Sequence, residues 1–158
     1  MELKCSFSDY TLWPFWVDTH VYPPFKKKSG GTITDSYGID VTCYPEVPEV
    51  LKTLHDEGYT LAVASRTWEI KGAKQLVELF SWNKYFTYKE IFPGSKTTHF
   101  NNIKKQSGVD FKEMMFFDDE QRNVHDISRM GVVSVFVTDG VSRKVVEDGL
   151  NIFSKERR

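Results

Sequence analysis

The sequence predicts a three-layer α/β fold, a parallel sheet covered by helices on both faces. Three observations carry that prediction. Short β-rich apolar runs alternate with segments of helical period. Clusters of polar residues fall just past the predicted strands, where open parallel sheets bind their ligands. A length of 158 residues, 40% of them hydrophobic, suits one domain with a core of its own spanning 1–158.

Taken in order, residues 1–8 form a short segment that is polar at half its positions. Between residues 19 and 44 the pattern weakens. Pro23-Pro24, Lys26-Lys27-Lys28 and Gly30-Gly31 mark a loop, and alternation around Tyr37-Gly38 predicts a small hairpin. The insertion is too short for a separate cap domain, so the active face is expected to be open. Val47, Val50, Leu51 and Leu54 fall at helical spacing and predict a helix over 46–57, stopped by Gly58. Residues 59–64 (YTLAVA) read as a strand that runs into Ser65-Arg66-Thr67. Ile70, Ala73, Leu76, Val77 and Phe80 then mark the next helix. Residues 85–92 precede a loop that carries Gly94-Ser95-Lys96. The same order recurs at 114–117, which runs into Asp118-Asp119-Glu120 and a helix through Val124, Ile127 and Met130. Residues 132–137 predict a further buried strand. The last helix, 142–153, is followed by Lys155, Arg157 and Arg158, which suit the negative end of its dipole.

Composition excludes several classes. Twenty-one Lys+Arg against 22 Asp+Glu give a formal charge of −1, so no global basic field exists to hold nucleic acid or an anionic membrane. Two cysteines, Cys5 and Cys43, are too few for a disulfide scaffold or a thiolate zinc site, which points to a cytoplasmic setting. Neither offers the Cys-x5-Arg spacing of a cysteine-based phosphatase loop. No apolar run nears the ~20 residues that span a bilayer, and the first six residues lack the apolar core of a signal peptide. Oligomeric state leaves no signal.

The chemistry should gather where Asp9-Tyr10-Thr11, Ser65-Arg66-Thr67, Lys96 and Asp118-Asp119 meet. Adjacent carboxylates repel each other, and a hard divalent cation such as Mg²⁺ relieves the repulsion. A hydroxyl at Ser65 and an ammonium at Lys96 supply a donor and a charge for a phosphoryl group. Taken singly, each has a plainer reading: Asp118-Asp119 or Ser65 as a helix cap, Lys96 as a surface lysine. Trp13, Phe15 and Trp16 are either core or an aromatic wall for a phosphotyrosine or sugar ring. The four histidines lack metal spacing and read as structural or surface groups, His20 being the one nearest the site.

The ordered set Asp9-Tyr10-Thr11, Ser65, Lys96, Asp118-Asp119 resembles the four motifs of the haloacid dehalogenase superfamily. The blocks at 9–20 (DYTLWPFWVDTH), 44–51 (YPEVPEVL), 64–67 (ASRT), 93–96 (PGSK) and 116–120 (FFDDE) are similar to the cap-less eukaryotic magnesium-dependent phosphatases. The resemblance implies a haloacid-dehalogenase-like fold without a cap and a Mg²⁺-dependent phosphomonoesterase working through an aspartyl-phosphate. Its substrates would be phosphotyrosine or small sugar phosphates. It also implies the roles. Asp9 would be the general acid/base and lend its carbonyl to Mg²⁺, with Thr11 orienting the motif. Ser65 would bind the phosphoryl group, Arg66 would touch the substrate, and Lys96 would neutralise the phosphate. Asp119 would ligate Mg²⁺ with Asp118 in support.

One position departs from the pattern. The family's first motif is Asp-x-Asp-x-Thr, and its leading, nucleophilic aspartate falls on Phe7. A phenyl ring cannot attack phosphorus. Residues 1–8 also read too polar for a buried central strand, and the family pattern starts abruptly at Asp9. That break points either to an alternative or mispredicted first exon, or to a retained fold that has lost its catalysis. The second reading makes the chain a pseudophosphatase that binds phosphorylated ligands without turnover. A receiver-domain reading is weaker, because there the acidic pair follows the first strand.

Overall fold

The computed structural model describes residues 4–7 and 10–156. Five parallel strands make the main sheet: β1 (Lys4–Phe7), β5 (Thr60–Ser65), β6 (Phe86–Ile91), β7 (Met114–Asp118) and β8 (Val133–Phe136). Their order is β6-β5-β1-β7-β8, so β1 is the middle strand. Three two-residue strands, β2 (Lys26–Lys27), β3 (Ile33–Thr34) and β4 (Asp40–Val41), pair antiparallel as a small separate sheet.

Strand alternation divides the core in two, as a doubly covered sheet requires. Phe7, Leu61, Val63, Met115 and Phe117 face α1 (Val47–Asp56), α2 (Ile70–Leu79) and α5 (Arg143–Glu156). Ala62, Ala64, Met114 and Phe116 face α3 (Lys96–Ser107) and α4 (Gln121–Ser128). This is the three-layer arrangement that the alternating pattern predicts. Trp13 and Phe15 join the first core, stacked at 5.6 Å, and so are not a substrate wall.

α3 is the element that periodicity missed. The sequence places Lys96 on a loop, whereas it is the first residue of a helix whose buried face holds only Lys96, His99, Phe100 and Ile103. Ser95 caps it by accepting the Thr97 N–H at 3.3 Å, and Gly108 closes it in the left-handed region at φ 72°.

β1 sits with Phe7 level with Val63 on one side and Phe117 on the other. Ser65 and Asp119 lie two residues further along their chains, at the carboxyl end of the sheet. There Tyr10 takes φ 63°, an uncommon conformation for a non-glycine residue that sharply redirects the chain. Gly140 (φ +79°) lets the backbone pass beneath the Tyr44 ring; a Cβ there would lie 2.4 Å from the ring carbons.

Candidate active site

A cleft of about 370 Å³ opens at the carboxyl ends of β5 and β7. Its floor carries Lys96, Asp118, Asp119 and Asn123, and its rim carries Trp16, Asp18, Arg66, Trp68, Glu120 and Arg122. The turn from β5 into α2 is built from its own side chains. The Ser65 Oγ accepts the Thr67 N–H at 3.3 Å, the Thr67 hydroxyl accepts the Glu69 N–H at 3.1 Å, and Glu69 caps α2 by accepting the Gly72 N–H at 3.1 Å. The first two bonds satisfy donors of the turn, and the third a donor that the start of α2 would otherwise leave open.

Lys96 comes in from the opposite layer, almost fully buried. Its Nζ donates to the Ala64 carbonyl at 2.5 Å and stands 3.6 Å from the Asp118 carboxylate. Asp118 accepts the Glu120 N–H at 2.8 Å and the Asn123 side-chain amide at 3.2 Å. Asn123 in turn accepts from Arg66 at 3.3 Å. Four residues predicted from three separate motifs, Ser65, Arg66, Lys96 and Asp118, are thus brought around the ends of β5 and β7, the two strands that flank β1.

Asp119 has a different environment. Its carboxyl is pushed up to about 7, first by burial and then by the neighbouring Asp118 charge. Lys96 offsets Asp118, but the described groups set no matching cation against Asp119. The donor set therefore fits a hard divalent cation, which would relieve that repulsion. Among the described residues no group of three His, Cys, Asp or Glu side chains forms a metal site. Asp9, expected as general acid/base and carbonyl ligand, lies outside the described residues. Thr11 is buried, and its carbonyl accepts the Val141 N–H at 2.8 Å, which ties the first motif to the loop after β8.

Phe7 is fully buried and stacked on Phe117 with ring centroids 5.3 Å apart, and it does not line the cleft. Its neighbour Ser6 faces the other core, where its Oγ finds no hydrogen-bond partner among the described residues.

Sequence reasoning missed Trp68, 79% exposed on the rim, and Asn123, which orders Asp118. The Trp68 backbone N–H donates to Asp18 at 3.3 Å, joining two rim loops. Trp16, 42% exposed, stacks on His20 at 5.5 Å and meets Tyr10 edge-on. The Asn123 spacing, five residues past Asp118 in the first turn of α4, was the one available signal.

Sheet order, helices on both faces and a Ser-Lys-Asp cluster at the carboxyl ends define the haloacid-dehalogenase class of α/β hydrolases. The chain belongs to the acid phosphatase family, whose model matches residues 8–156. It is 54% identical over 147 residues to human magnesium-dependent phosphatase 1, covering 93% of this chain and 84% of that one. It is 41% identical over 157 residues to a HAD-like hydrolase superfamily protein of Schizosaccharomyces pombe, covering 92% and 87%. Among solved structures, the N-terminal part of a Bacteroides fragilis protein, containing a phosphatase domain complexed with Mg, superposes with TM-score 0.66 at 18% identity. That match covers 96% of this chain and 40% of the other. A haloacid dehalogenase-like hydrolase of Streptococcus pneumoniae gives 0.56 at 10% identity over 73% and 60%. Both structural likenesses concern the fold alone.

Proposed function

We propose that the cleft is that of a Mg²⁺-dependent phosphomonoesterase, with the Ser65–Lys96–Asp118 cluster as the observation that carries the reading. The buried Lys96 ammonium faces the end of β5 and supplies positive charge to a phosphoryl group, and the Ser65 hydroxyl donates to one of its oxygens. Arg66 and Arg122 add charge from the rim. Asp119 and the Asp9 carbonyl would hold Mg²⁺, with Asp118 in support; the ion would supply charge neutralisation at the phosphate. Asp9 would hand a proton to the leaving group.

Trp16 and Trp68 favour an aromatic leaving group, as in phosphotyrosine, over a sugar. Trp68 is largely exposed on the polar rim and offers stacking surface that the fold itself does not use, and Trp16, although packed on His20 and Tyr10, keeps part of its ring open to the cleft.

A second reading rests on Phe7. With a buried phenyl at the nucleophile position, the chain would bind phosphate monoesters without turning them over. Hydrolysis of p-nitrophenyl phosphate, with and without Mg²⁺, by this chain and by Phe7→Asp separates the two. Turnover by the variant alone supports the family mechanism and the second reading for the chain as it stands. Equal Mg²⁺-dependent turnover by the parent means that another nucleophile exists. No gain in a Phe7→Asp variant that folds by circular dichroism and binds Mg²⁺ overturns the alignment of Phe7 with the nucleophile.

A further inference from the structure

His99 is buried completely behind Ser65 and Phe92, one turn into α3, and the phosphatase reading assigns it no part. Both ring nitrogens face carbonyl oxygens. Nε2 lies 2.9 Å from the Ser65 carbonyl and 2.8 Å from that of Phe92, while Nδ1 lies 3.0 Å from that of Ser95. Carbonyls only accept, so the ring must donate. Nδ1 faces one acceptor, in the first turn of its own helix, whereas Nε2 faces two from separate segments. A neutral ring therefore carries its hydrogen on Nε2. Burial, and then the Lys96 charge, hold the ring's pKa below its ordinary value, in keeping with a neutral ring. The Phe92 ring stacks against it at 4.0 Å with an interplanar angle of 6°, which fixes its plane.

The segments it joins are the two that bear the phosphate-binding groups. Ser65 ends β5, and Phe92 to Ser95 lead directly into Lys96. Ser65 also accepts the Phe92 N–H at 3.1 Å, and Lys96 reaches back to the Ala64 carbonyl. We infer that His99 is a positioning residue. Through Nε2–H it pins the carbonyl of Ser65 to the loop that delivers Lys96, and so sets the separation of the hydroxyl and ammonium that hold a phosphate. The inference rests on the phosphate-site reading above but acts through the backbone, away from the nucleophile position and the metal.

The test compares His99→Phe, which keeps the stack on Phe92 and removes the donor, with His99→Gln, whose side-chain amide can reach the Nε2 position. Inorganic phosphate is titrated into each folded protein with Mg²⁺ present. The Phe variant is expected to bind about tenfold more weakly and the Gln variant to recover most of that loss, in line with a hydrogen bond that orders binding groups. Nitrogen-15 NMR of the intact chain gives the second readout: His99 neutral with Nε2 protonated, and Ser65 amide and Lys96 ammonium signals displaced in the Phe variant and restored in Gln. Unchanged phosphate affinity in a folded Phe variant overturns the inference. So does a proton on Nδ1 alone, or undisplaced Ser65 and Lys96 signals. If no protein binds phosphate while those signals still move and recover, the phosphate reading fails and the clamp stands.

Discussion

The middle strand and its two neighbours differ sharply in how well their chemistry is matched to their surroundings. β5 and β7 are apolar runs ending in polar residues that all find partners: Ser65 in its turn, Asp118 between Lys96, Asn123 and the Glu120 amide. β1, between them, reads Lys-Cys-Ser-Phe, leaves the Ser6 hydroxyl buried without a partner among the described residues, and places an inert ring at the position that the motif resemblance assigns to the nucleophile. The proposed binding groups, on β5, β7 and α3, thus sit on other elements than the proposed attacking position on β1. A chain can keep the first and lose the second without losing the sheet.

The largest effect should come from mending β1. Phe7→Asp is expected to raise Mg²⁺-dependent hydrolysis by about 10⁴-fold, the usual worth of a covalent nucleophile. It should also lower stability, because it replaces a buried ring stacked on Phe117; initial rates and urea unfolding check both. The complementary damage to the neighbours is Lys96→Met, which leaves the Asp118 carboxylate buried without its cation. A loss of about 3–5 kcal/mol in urea unfolding is expected, and a loss under 1 kcal/mol would mean that Asp118 does not rely on Lys96.

Ser6→Ala should work in the opposite direction and gain about 1 kcal/mol, since it removes a buried hydroxyl with no partner among the described residues. A loss would show that the hydroxyl is satisfied. The same comparison can be sharpened with pH. Asp119, raised from 3.8 to about 7, keeps a proton in the folded state that the unfolded chain has already released. Metal-free stability should therefore fall as pH rises from about 4 to 7 and then level off. Mg²⁺ should raise the melting temperature more at pH 8 than at pH 5, and Asp119→Asn should flatten the slope. His99, lowered by burial, acts in the other sense: the unfolded chain takes up its proton first, so stability falls as pH drops through about 6.5.

Much of this contrast was legible from the residues. Val47, Val50, Leu51 and Leu54 form a stripe at helical spacing, and 60–65 and 114–118 are compact apolar runs, so their elements could be placed from pattern alone. α3 could not. Its sequence, KTTHFNNIKKQS, carries two buried apolar residues among threonines and asparagines, and it is held to the sheet by Lys96 and His99 through carbonyls that no periodicity reveals. The motif residues Ser65, Lys96, Asp118 and Asp119 were readable because their order along the chain is itself a signal. Trp68, Asn123 and His99 were not, since each acquires its role from a segment distant in sequence: Asp18 for the Trp68 loop, Arg66 for Asn123 and Ser65 for His99.

The central proposal is that this chain keeps a phosphate-binding site although Phe7 stands at the position that the resemblance assigns to the nucleophile. Calorimetric titration of inorganic phosphate into the unmodified protein with Mg²⁺, alongside Ser65→Ala, tests it directly. The account predicts saturable binding by the parent that weakens by about tenfold in Ser65→Ala, the loss of a hydrogen bond to a charged group. No saturable binding by the folded parent, or equal binding by both proteins, would contradict it.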